Sequence, residues 1–90
     1  MDLQRTPRPP KAPARYPNRI RDYRIKGGLN QRQLAKRVGR ALSMVALWER
    51  GRRLPSAPNL FRLAKALNTF AEALYPVLYE AARNPEQPKP

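Results

Sequence analysis

The chain contains no cysteine and no histidine, and acidic residues are few. Without cysteine there is no disulfide framework and no thiolate ligand, and without histidine a zinc site would rest on carboxylates alone, so no metal and no cofactor is expected. The same gaps remove the usual nucleophile and base. Ser43 and Ser56 are the only serines and no carboxylates cluster, so enzymatic activity is not expected. No run of about 18 apolar residues occurs, and the basic N-terminus leads into prolines rather than an apolar segment. Neither a membrane span nor a secretory signal is therefore read, and the expected location is the cytoplasm, with the nucleoid. β-Branched aliphatics are scarce outside Ile20, Ile25, Val38, Val45 and Val77, which argues against strands and for an all-α fold.

What the chain has in abundance is positive charge. Among 90 residues, 19 are Lys or Arg and 6 are Asp or Glu, a net charge of +13. A field of that size on one small domain attracts polyanions, either nucleic acid or an anionic lipid surface. The charge is also uneven: residues 1–53 hold 15 basic residues against Asp2, Asp22 and Glu49, whereas residues 54–90 hold 4 against 3. The polyanion-facing part is the first one.

Composition divides the chain in three. Residues 1–16 carry four prolines, four basic residues and one large aliphatic, too little apolar surface to offset the entropy of ordering, so a flexible or polyproline-like basic arm is expected. Residues 84–90, with Pro85, Pro88 and Pro90, read as a disordered tail. Residues 17–83 form the expected domain, with the small core that so short a chain can bury.

Helix signals follow one another closely in that domain. Pro17 and Asn18 offer a first-turn proline and a capping amide before a helix that Gly27 and Gly28 stop. Asn30 and Gln33 form a capping-box pair ahead of the stripe Leu34, Ala35 and Val38, and Gly39 supplies a left-handed end. After the short link to Ala41, a third helix over about 42–50 carries Val45 and Trp48 at i and i+3 and closes at Gly51. Ser56 caps a fourth helix with Pro58 in its first turn and Leu60, Leu63, Ala64 and Leu67 on its inner face, and Asn68 ends it. Thr69 with Glu72 reads as a second capping box before Leu74, and Pro76 restarts the chain into a short last helix bearing Val77, Leu78 and Ala81. The expected core is Ile20, Tyr23, Leu29, Leu34, Ala35, Val38, Val45, Trp48, Leu60, Leu63, Ala64, Leu67 and Leu74.

Two short helices joined by a few residues containing glycine have the spacing of a helix-turn-helix. The order Gln31-x-x-Leu34-Ala35-x-x-x-Gly39, then Trp48-Glu49-Arg50-Gly51 with Pro55 soon after and Leu63-Ala64-Lys65-Ala66-Leu67 beyond, resembles the Cro and lambda-repressor type helix-turn-helix family of small DNA-binding transcriptional regulators. The resemblance spans Ile20 to Tyr75 without a gap. It implies a five-helix lambda-repressor-like domain, here with a short extra C-terminal helix, acting on double-stranded DNA as a repressor with its third helix in the major groove. It also implies phosphate contact by Gln31, base-facing positions at Leu42, Ser43 and Leu47 with Met44 beside them, and a structural pair between Arg24 and Glu49. Such regulators commonly bind half-sites as dimers, for which Leu78 and Tyr79 on the last helix are the candidate surface.

Charge and helix ends extend this set. The start of the second helix, with Asn30, Gln31 and Arg32, offers free N–H groups to a phosphate, and Arg50, Arg52 and Arg53 flank the groove from the other side. Arg40 and Asn59 are further phosphate candidates, and Arg5, Arg8, Lys11 and Arg15 suit an arm laid in an adjacent minor groove. One departure stands out, because bidentate purine readout uses Arg, Asn or Gln and this third helix offers Ser43 among apolar neighbours. Three readings remain open at this point: contact of Leu42, Met44 and Leu47 with thymine methyl groups, specificity from DNA shape, or an anti-repressor or adaptor whose apolar helix face docks a protein.

Overall fold

Side-chain caps open two of the six helices in the computed structural model, which describes residues 14–83. In chain order these are α1 (Ile20–Lys26), α2 (Gln31–Val38), α3 (Leu42–Glu49), α4 (Ala57–Ala66), α5 (Ala71–Leu74) and α6 (Pro76–Arg83), with no strand among the described residues. At the start of α2 the Asn30 Oδ1 accepts from the Gln33 N–H at 2.7 Å, and the Gln33 Oε1 accepts from the Asn30 N–H at 2.8 Å. Both bonds of the expected capping box are thus present. Gly39 ends the helix in the left-handed region at φ 74°. Ser56 caps α4 by accepting from the Asn59 N–H, and Asn68 terminates it at φ 54°.

Two local readings need correction. Thr69 does not cap α5: Phe70 is the capping residue and no side chain serves that role. The Thr69 N–H is already committed to the Ala64 carbonyl at 2.9 Å, finishing α4, so α5 starts one residue later and Glu72 falls out of box register. Likewise α1 starts from Arg19 rather than Asn18. The Asn18 amide instead ties three segments: Oδ1 accepts from the Ile20 N–H, while Nδ2 donates to the carbonyls of Tyr16 at 2.9 Å and Trp48 at 2.8 Å.

The helices enclose one core, in which α2 packs on α3 and α4, α1 on α3, α4 on α5, and α5 on α6. Ile20, Leu34, Val45, Trp48, Leu63 and Leu74 are its fully buried side chains, and Tyr23, Leu29 and Leu60 pack on it half-buried. Tyr75 was not expected there. The chain breaks between α5 and α6 with Tyr75 at φ −128°, ψ 62°, and at that break Leu74 and Tyr75 are both buried. Burial holds the Tyr75 phenol neutral by raising its pKa, and its oxygen has no hydrogen-bond partner among the described residues. No helix of the described residues is long and apolar enough to cross a membrane.

Candidate nucleic-acid interface

The pairing of α2 with α3 across the Gly39–Ala41 turn sets up the site. α2 is self-sufficient, whereas α3 begins at Ala41 with no side-chain cap and is apolar along most of its length. Its position is fixed from outside. Arg24 of α1 grips Glu49, the last residue of α3, with Nε donating to Oε2 at 2.5 Å and Nη2 to Oε1 at 3.1 Å. The Arg24 Nη1 also donates to the Leu29 carbonyl at 2.9 Å, so one guanidinium joins α1, the approach to α2 and the end of α3. Both side chains are largely withdrawn from solvent, at 11% exposure for Arg24 and 3% for Glu49. The anticipated ion pair is therefore present in the geometry, and a bidentate arginine fork holds orientation as well as charge.

Gln31 joins this network. Its Nε2 donates to Glu49 Oε1 at 3.0 Å, so the amide read from sequence as a phosphate donor spends one N–H on α3 and keeps the other. The sequence carried no local signal for that tie, because Gln31 and Glu49 meet only once α2 and α3 are packed. Asn30 and Gln33 satisfy each other, and the first N–H groups of α2 lack intrahelical acceptors by construction. Arg32 is exposed beside them.

Along α3, Leu42 and Ser43 are exposed, Leu47 is half-buried, and Met44 packs half-buried on the core. Met44 thus divides its surface between packing and the outer face. At the far end Arg50, Arg52 and Arg53 are all exposed on the turn through Gly51 (φ 71°). The Arg50 Nε lies 3.4 Å from the Ala46 carbonyl, and the Arg40 Nη1 folds back on the Gly39 carbonyl at 2.8 Å. The Asn59 Oδ1 accepts from Arg62 Nη1 at 3.0 Å on the exposed face of α4. Arg40, Arg50 and Asn59 thus each have a contact within the chain, while Arg52 and Arg53 beyond Gly51, like Arg32, Lys36 and Arg37 on α2, are exposed without a side-chain hydrogen bond among the described residues.

The end of the basic arm also reaches this turn. The backbone N–H groups of Arg15 and Tyr16 both donate to the Gly51 carbonyl, at 3.0 and 3.1 Å. The Arg15 guanidinium lies over the Tyr16 ring, 5.6 Å from its centroid. A side chain at position 51 would meet the Ala14 Cβ at 2.7 Å and the Tyr16 carbonyl oxygen at 2.9 Å, so glycine is needed there for space as well as for φ. Residues 14–16, read from sequence as part of the arm, are in this way docked on the end of α3. Arg5, Arg8 and Lys11 lie outside the described residues.

Comparison with known proteins agrees with this geometry. A helix-turn-helix family model matches residues 20–72. Curated relatives are uncharacterised HTH-type transcriptional regulators. One from Archaeoglobus fulgidus is 35% identical over 57 residues, covering 63% of this chain and 81% of that protein. YazB of Bacillus subtilis is 41% identical over 58 residues, covering 64% of this chain and 84% of YazB. A Mycobacterium tuberculosis regulator is 45% identical over 56 residues, 62% of this chain, and the match spans 40% of that protein's length. Among solved structures, the restriction-modification controller protein C.AhdI from Aeromonas hydrophila superposes with a TM-score of 0.60 at 38% identity, covering 63% of this chain and 86% of its own.

Proposed function

The chain belongs to the helix-turn-helix family of Cro and lambda-repressor type regulators, and from that premise we propose that it is a sequence-specific repressor that inserts α3 into the major groove of double-stranded DNA. The observation that carries this reading is the placing of three exposed arginines, Arg50, Arg52 and Arg53, on the Gly51 turn directly after a helix whose Leu42 and Ser43 are exposed. Leu42 and Leu47 meet thymine methyl groups, with Met44 contributing its exposed part, and Ser43 hydrogen-bonds a base edge. Arg50, Arg52 and Arg53 hold phosphates on one side, and the first turn of α2, with Asn30, Gln31 and Arg32, holds them on the other. Arg40 and Asn59 are secondary phosphate contacts that first release their internal partners. The arm leaves the domain beside Gly51, from where Arg5, Arg8, Lys11 and Arg15 serve the neighbouring minor groove. Self-association through Leu78 and Tyr79 on α6 supplies the two-fold symmetry of a paired half-site, and no catalytic step is assigned. A regulator of this kind works at the nucleoid.

A second reading, an anti-repressor or adaptor that docks another protein on α3, is favoured by the scarcity of polar base readers on that helix. Selection of bound duplexes from a random pool at two salt concentrations, with a parallel Leu47→Ala variant, separates the two. The repressor reading expects an enriched palindromic motif that the variant loses. Retention without enrichment contradicts sequence-specific readout, and no retention at low salt favours the protein-docking reading.

A further inference from the structure

An apolar groove of about 400 Å³ lies between α4, α5, α6 and the segment before α4, away from the residues assigned to DNA. Leu54, Pro55, Leu60, Tyr75, Leu78 and Tyr79 line it, and Glu72 stands at its rim. Leu54 and Tyr79 are exposed to nearly half their area, and Glu72 has no ion-pair partner among the described residues. Tyr75 contributes to the same wall, with its hydroxyl buried behind it. Two tyrosines, a proline and leucines beside one acid make a surface suited to a proline-rich basic strand. Such a strand in the polyproline II form has no internal hydrogen bonds, leaving its carbonyls free for the exposed Tyr79 phenol.

The chain itself carries such a strand. Pro7, Pro10 and Pro13 recur every third residue, and so do Arg5, Arg8 and Lys11. With three residues per turn, a polyproline II helix places the three prolines on one face and the three cations on the next. The strand also starts close by. Ala14 abuts Gly51, Leu54 at the groove edge follows three residues later, and those three residues span at most about 11 Å. Nine residues of polyproline II reach roughly 28 Å, ample to cross the groove. The C-terminal tail fits less well because Glu86 and Lys89 cancel, leaving nothing to match Glu72.

We propose that, in the absence of DNA, residues 5–13 dock in cis in this groove as a polyproline II strand, with Pro7, Pro10 and Pro13 against Tyr79 and its apolar neighbours and the cationic face toward Glu72. The arm then has two alternative seats, the groove and DNA, and in the first it covers Leu78 and Tyr79. The inference rests on the groove and the strand, and stands whether or not α3 reads bases.

Because the chain has no cysteine, Thr6→Cys gives a single attachment point for a nitroxide on the full protein. Paramagnetic loss of amide signals at Ala71, Leu78 and Tyr79 is expected in the free protein. The loss should be abolished when Pro7 and Pro10 are both replaced by alanine, which keeps length and charge. These substitutions lie outside the described domain, and an unchanged melting temperature verifies that the fold is intact. Losses confined to α3, losses indifferent to the prolines, or no losses at all would overturn the proposal. So would losses at those amides that arise only between chains, when spin-labelled unenriched protein is mixed with unlabelled ¹⁵N protein, since a second copy would then be the source.

Discussion

α2 and α3 are equal in length and adjacent in sequence, yet they are specified in opposite ways. α2 carries its own instructions: a reciprocal cap at Asn30 and Gln33, an inner stripe of Leu34, Ala35 and Val38, and a glycine end facing open space. α3 has no side-chain cap, and its C-terminal end is held by residues from elsewhere: Arg24 and Gln31 on Glu49, Asn18 on the Trp48 carbonyl, and Arg15 and Tyr16 on Gly51. A helix whose outer face must stay free for a partner has little surface left for self-stabilisation. The surrounding chain therefore orients it, and damage to α3's position should arise at residues far from its outer face.

The largest effect should come from breaking the grip on Glu49. Glu49→Ala leaves the Arg24 guanidinium partly buried without its carboxylate and should destabilise the protein by about 4 kcal/mol in urea unfolding. That is a large share of the roughly 5–15 kcal/mol available to a small domain. Replacing both partners together, Arg24→Met with Glu49→Leu, should recover most of the loss, since a buried pair is worth little against an apolar pair of similar volume.

Two of the left-handed glycines, those that follow α2 and α3, sharpen the contrast next. Gly39 and Gly51 have nearly the same φ, 74° and 71°, but a Cβ at 39 meets nothing within 4 Å, while one at 51 collides with Ala14 and Tyr16. Gly39→Ala should cost about 1 kcal/mol for the backbone conformation alone. Gly51→Ala should cost about 3 kcal/mol, with the excess coming from overlap. Amide hydrogen exchange should show Arg15 and Tyr16 released from the Gly51 carbonyl in the second variant and retained in the first.

The smallest effects concern the helix starts. Asn30→Ala should lose about 1 kcal/mol because it removes a working cap, and Ala41→Ser should gain up to about 1 kcal/mol because it supplies a missing one. Opposite shifts in melting temperature at two neighbouring helix starts would express the contrast directly.

The same contrast explains what could be read before the structure. α2, α4 and their terminators were legible because Asn30, Gln33, Gly39, Ser56 and Asn68 act within a few residues of themselves. Thr69 misled because its backbone was claimed by the end of α4, and Tyr75 escaped notice because a chain break, not a helical period, turns it inward. At the site, the Arg24–Glu49 pair was anticipated through family resemblance, and nothing local announced it. The roles of Asn18 and of Gln31 toward Glu49 were invisible, since each joins segments 18 or more residues apart.

The central claim is that α3 is presented to DNA with the cations of the Gly51 turn as its phosphate clamp. The most direct test is the salt dependence of duplex binding by the wild-type protein and by a variant with Arg50, Arg52 and Arg53 replaced by glutamine. Each phosphate contact contributes a log–log slope of about 0.9, so the variant's slope should be shallower by about 2.7. Circular dichroism should show the helical fold unchanged. An identical slope and affinity in the two proteins would contradict the account, because the turn beside α3 would then not be touching the DNA backbone.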